Sequence, residues 1–100
     1  MTLVAILTVR RAALEQFRAF ERQAAAVMQA HRGRIERTVV APDDSPELVR
    51  EVHVVVFPDA GAFEAYRADA RLATLAPLRE SADVRTELLI GEDGPDYGAA

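Results

Sequence analysis

The sequence predicts an α+β fold, a four-stranded antiparallel sheet with two helices on one face, in the order β-α-β-β-α-β. Three observations lead there. Leu3–Val9 (LVAILTV) and Leu48–Phe57 (LVREVHVVVF) read as strands with apolar residues on both faces. Each is followed, directly or after a turn, by a stretch with apolar residues at three- and four-residue spacing or by a more polar strand. At 100 residues the chain is one domain with a single small core.

The first strand carries Leu3, Ala5, Leu7 and Val9 on one face, and Val4, Ile6 and Thr8 on the other. Arg11–Arg32 follows as an amphipathic helix. Leu14, Phe17, Phe20, Ala24, Val27, Met28 and His31 form its apolar face. Arg11, Glu15, Arg18, Arg22 and Gln29 fall opposite. Gly33 is expected as a left-handed cap ending this helix. Arg34–Ala41 is a strand with charges on both faces at its start, which suits a sheet edge. Pro42-Asp43-Asp44-Ser45-Pro46 is a turn.

Leu48–Phe57 is the most apolar strand, interrupted by His53. Asp59 is a candidate N-cap for a second helical region. There Phe63, Tyr66, Ala70 and Ala73 share a face, and Leu72, Leu75 and Leu78 continue through a bend at Pro77. Asp83–Ile90 is the last strand. Residues 1–90 form the domain and residues 91–100 a polar tail, which Tyr97 is expected to anchor.

This element order is the ferredoxin-like split pattern, in which the first and third strands are central. They are the most apolar strands here, so two independent cues agree. Helices cover one sheet face. Nothing else in the chain is left to cover the other, so a second copy packed sheet against sheet is expected.

Composition narrows the function classes. The net charge is −4 and the twelve basic residues are scattered, which argues against nucleic-acid binding. Without cysteine there is no disulfide, thiol nucleophile or thiolate metal site. Two histidines and no matching carboxylate spacing leave no expected metal centre. The short apolar N-terminus, followed by Arg10–Arg11, does not read as a signal peptide, and no stretch is long enough to span a membrane. The chain reads as soluble and cytoplasmic.

Phe57–Glu80 (FPDAGAFEAYRADARLATLAPLRE) resembles the domain of unknown function 1330 family of the dimeric α/β-barrel superfamily. The matching features are a strand ending in Phe-Pro, an aromatic near Tyr66 and the segment Leu75-Ala76-Pro77-Leu78-Arg79. His31-Arg32-Gly33-Arg34 is similar to that family's Gly-Gly-Arg turn, with Arg32 at the first glycine. The resemblance covers roughly residues 3–90. It implies a ferredoxin-like homodimer, no established general activity and no cofactor. Two departures stand out: Val56 replaces an acid before Phe-Pro, and Ala68-Asp69-Ala70-Arg71 lacks a proline turn.

Among candidate site residues, His53 has an imidazole able to act as acid or base and shares a strand face with Glu51. It is either a hydrogen-bonded group fixing the register of the dimer interface or an acid–base group. Tyr66 is either core or a ligand contact. Arg79 can clamp a carboxylate or enolate, or tie down a helix end. Glu21 borders the apolar stripe and reads as a solvated edge, with acid–base work as the alternative. His31 suits the negative end of the first helix. The expected function is a homodimeric small-ligand-binding or accessory protein. The alternative is a cofactor-independent enzyme, monooxygenase-like or isomerase-like, with a pocket between helices and sheet using Tyr66, Arg79 and His53.

Overall fold

Four strands form one antiparallel sheet in the order β2-β3-β1-β4. A computed structural model describes residues 1–98. The strands are β1 (Thr2–Arg10), β2 (Arg34–Pro42), β3 (Leu48–Val56) and β4 (Arg85–Gly91). The two most apolar strands are central, where both edges are paired and one face lies under the helices. The charged β2 is an edge, with an irregularity between Ile35 and Arg37.

Ladder partners share a face. Ala5 pairs with His53 and Leu7 with Glu51. One face therefore carries Leu3, Leu7 and Val9 beside Val49, Glu51, His53 and Val55, all buried under helices. The opposite face carries Val4, Ile6, Val52, Val54 and Val56, joined by Val39 and Leu89 from the edges. No described residue covers it, and Leu89 is 64% exposed. The molecule is a two-layer slab of 42 × 36 × 16 Å. Its radius of gyration is 14.4 Å, above the roughly 13 Å of a compact domain of this length.

After a 3-10 turn at Arg11–Ala13, helix α1 runs from Leu14 to Ala30. It buries Phe17, Phe20, Ala24, Val27 and Met28, the stripe expected from spacing. Its end differs from expectation. The left-handed residue is Arg32, with φ of 60°, and not Gly33. Gly33 is needed for space: a Cβ there would overlap the Phe57 ring and lie 2.7 Å from Met28 Cγ.

The second helical region is three pieces, α2 (Ala60–Arg67), α3 (Ala70–Ala73) and α4 (Ala76–Ala82). Asp59 caps α2, its Oδ1 accepting from Ala62 N–H at 2.8 Å. The first break falls at Asp69. This residue is extended and caps α3, accepting from Arg71 N–H at 2.8 Å. The break resets the helical phase, so Ala70 and Ala73 are exposed while Phe63 is buried. Pro77 starts α4, where its missing N–H costs nothing. Asp83, with φ of 50°, ends α4, and β4 begins two residues later than expected.

Tyr97 is 92% exposed and does not anchor the tail within this chain. The tail is held instead through Asp93, whose Oδ1 accepts from Thr2 Oγ1 at 2.6 Å. The last two tail residues lie outside the described residues. Among the described residues, no helix is long and apolar enough to cross a membrane.

Candidate functional site

Between sheet and helices lies a cavity of about 370 Å³. Leu3, Ala5, Leu7, His53 and Val55 form its floor. Phe20, Glu21 and Met28 of α1 make one wall. Phe63, Tyr66, Leu72, Ala76 and Arg79 of the segmented helical region make the other. The walls are mostly apolar because each element turns its core stripe inward. His53, Tyr66 and Arg79, drawn from separate parts of the sequence, all line this one space.

Of the two placements open to it in the sequence, a sheet-to-sheet interface or a pocket, His53 takes the helix-covered face and not the open one. The reason is strand parity: its partner across the ladder is Ala5, beside buried Leu3 and Leu7. Its Nε2 lies 2.9 Å from Glu51 Oε1. An ionised Glu51 only accepts, so Nε2 carries the hydrogen of that bond. Nδ1 lies 3.7 Å from Glu21 Oε2. The imidazole also stacks on Phe17, with ring centres 6.4 Å apart and planes 28° from parallel. Glu51 is itself buried, and its Oε2 has no hydrogen-bond partner. Arg18 Nη2, 3.6 Å away, supplies charge there without a hydrogen bond.

Glu21 is not a solvated edge. It lines the cavity, and its side chain is only 19% exposed. Burial pushes its carboxyl above the usual value. His53 opposes that rise, neighbouring Glu51 adds to it, and Arg79 opposes it again. Burial likewise pushes the Tyr66 phenol up to about 12, with Glu21 adding and Arg79 opposing. The Tyr66 ring packs on Phe57 at 5.5 Å. Arg79 Nη2 donates to Thr86 Oγ1 at 2.8 Å, bridging α4 to β4. Arg67 lies over the Phe63 ring at 5.4 Å and also borders the cavity.

His31 is elsewhere. It caps α1 and bonds Asp69 through Nε2 at 2.8 Å. Asp69 is held well below the usual carboxylate range by Arg71, then by His31. Among the described residues, no group of three or more His, Asp or Glu is arranged to hold a metal ion.

Sequence reasoning underrated Glu21 and Glu51. Glu51 was legible as the i−2 neighbour of His53 on one strand face. Glu21 follows Phe20 and sits one turn after Phe17, at the border of the buried stripe. Which side of that border faces the cavity depends on the rotation of α1 against the sheet, which spacing does not specify.

No family model matches the chain, and no curated protein matches it by sequence. Solved structures match along nearly its whole length. SnoaB, a cofactor-independent oxygenase from Streptomyces nogalater, is 13% identical with a TM-score of 0.58, over 93% of this chain and 94% of that one. An antibiotic biosynthesis monooxygenase is 16% identical with a TM-score of 0.58, over 93% of this chain and 100% of that one. An uncharacterized NIPSNAP domain protein from Burkholderia xenovorans is 16% identical with a TM-score of 0.56, covering 94% and 99%. At such identities the likeness establishes a shared ferredoxin-like α+β fold. The family resemblance read from Phe57–Glu80 has no family-model match behind it.

Proposed function

We propose that this protein binds a small, largely apolar molecule in the cavity between sheet and helices, and does so as a homodimer. One observation carries the binding reading. Glu21, His53, Tyr66 and Arg79 converge on a space that is otherwise apolar. Protein interiors are ordinarily filled to crystal-like density. Polar groups placed there are costly to desolvate, and a purely structural core has no use for them. A volume of about 370 Å³ falls within the roughly 300–1,000 Å³ typical of ligand sites. That SnoaB is a cofactor-independent oxygenase is consistent with this fold holding small molecules without a cofactor. The Phe57–Glu80 motifs favour the domain of unknown function 1330 branch, and a cysteine-free chain suits the reducing cytoplasm.

The test is native mass spectrometry of the purified protein, followed by thermal shift against a library of apolar small molecules. A retained metabolite, or several hits abolished by filling the cavity with Ala5→Phe, is the expected result. The absence of both a retained molecule and any thermal shift would sink the reading.

The homodimer rests on the open sheet face. Val4, Ile6, Val52, Val54 and Val56 sit side by side there, with Val39 at 44% and Leu89 at 64% exposure. Monomers rarely leave so continuous an apolar surface in water. Arg37, Arg50, Arg85 and Glu87 lie on the same face and supply charges of both signs. Sedimentation is expected to give a dimer and Val54→Asp a monomer. A stable wild-type monomer at micromolar concentration would overturn the assembly.

A further inference from the structure

We infer that the ligand of this cavity carries a carboxylate, held by Arg79 and Tyr66, on an apolar body seated against Phe57 and Phe63. This rests on the binding reading above and adds the chemistry of the ligand's polar end. Hydrogen-bond supply and demand point that way. Arg79 commits one N–H to Thr86 and makes no ion pair among the described residues. Its planar fork still has free donors, and that fork matches a carboxylate bidentately. The Tyr66 hydroxyl makes no hydrogen bond among the described residues. With its pKa near 12, it stays a neutral donor at physiological pH.

Acceptors are scarcer. Among the described residues, Glu21 is the sole carboxylate lining the cavity, and burial raises its pKa above the usual value. Glu51 is already occupied by His53. Arg67, at the border over Phe63, is paired with Glu64, its Nη1 lying 3.5 Å from Glu64 Oε1. The polar end of the cavity therefore has free donors on Arg79 and Tyr66 and a single carboxylate, Glu21, which no hydrogen bond joins to them among the described residues. Phe57, Phe63, Leu3 and Val55 around it offer no further polar partner, so the rest of the ligand is apolar.

The experiment compares decanoate, decan-1-ol and decyltrimethylammonium by calorimetry at pH 7.5, on the wild type, Arg79→Gln, Arg79→Lys and Tyr66→Phe. Decanoate is expected to bind at least roughly tenfold more tightly than decan-1-ol, the worth of a charge-assisted hydrogen bond. Arg79→Gln should erase that preference, and a cooperative thermal melt shows that the variant is folded. Arg79→Lys should keep part of the preference, and Tyr66→Phe should reduce it. Equal binding of acid and alcohol overturns the carboxylate inference and leaves the binding reading standing. So does a preference for the ammonium, or an acid preference that survives Arg79→Gln. Binding of none of the probes overturns both.

Discussion

Gly33→Ala adds one methyl group where the turn after α1 has no room for it. A Cβ would sit 2.6 Å from Phe57 Cζ and 2.7 Å from Met28 Cγ, against about 3.5–4.0 Å for carbon atoms in contact. Gly33 has no positive φ, so the cost is steric and owes nothing to backbone preference. Phe57 is 1% exposed and braced by Phe63 at 5.4 Å and Tyr66 at 5.5 Å. Its ring and Met28 have one direction open, into the cavity they both line. Overpacking costs about 1–3 kcal/mol in general, and this outlet puts the expected loss at about 1–2 kcal/mol. For a domain of this size that lowers Tm by roughly 4–16 °C. Urea and thermal unfolding measure it, with Gly94→Ala as control because nothing lies within 4 Å of a Cβ there. Binding by the variant should weaken too, since the displaced side chains occupy ligand space. A midpoint indistinguishable from the control would refute the close approach of Phe57 to the turn.

Three further outcomes follow from the charged groups. Glu21 has a raised pKa when folded, so its favourable proton is fully bound below pH 4.5 and lost as the pH climbs through the raised value. Glu21→Gln should therefore gain stability relative to wild type across that window, read from urea midpoints between about pH 4 and 8. Asp69 has the opposite sign: its stabilisation by Arg71 and His31 is present above 3.8 and disappears as the pH falls through the depressed value. Asp69→Asn should be less stable near neutrality and should lose that part of the acid dependence. Glu51→Ala strips His53 of its partner and leaves Arg18 without its charge, an expected loss of about 1–3 kcal/mol by equilibrium unfolding.

The sheet order was readable because apolar residues on two faces are written directly in Leu3–Val9 and Val52–Phe57. The stripe of α1 was readable for the same reason: Phe17, Phe20, Ala24, Val27 and Met28 repeat with the helix. Three features were not. The break at Asp69 depends on a side chain capping its own downstream turn, and an aspartate inside an apolar-periodic stretch looks like any solvated charge. The left-handed residue at Arg32 wins because Gly33 is needed elsewhere, under the Phe57 ring, and that contact joins residues 24 apart in sequence. The side His53 takes was left open because both faces of its strand are apolar, so parity alone does not say which one the helices cover. Its pairing with Ala5 decides the matter, and register is a tertiary fact.

The division of the second helical region into eight, four and seven residues has a dynamic consequence. Helices this short do not persist on their own in water. α2, α3 and α4 are held by packing, by capping aspartates and by the tie between His31 and Asp69. α1, at seventeen residues, is anchored along its length by buried aromatics. One wall of the cavity is thus rigid, and the other is built from pieces able to unfold separately. Hydrogen exchange should find the α3 amides opening long before those of α1. The stretch of cavity lining around Leu72 therefore opens first, at a cost set by the stability of a four-residue helix and not by that of the whole fold.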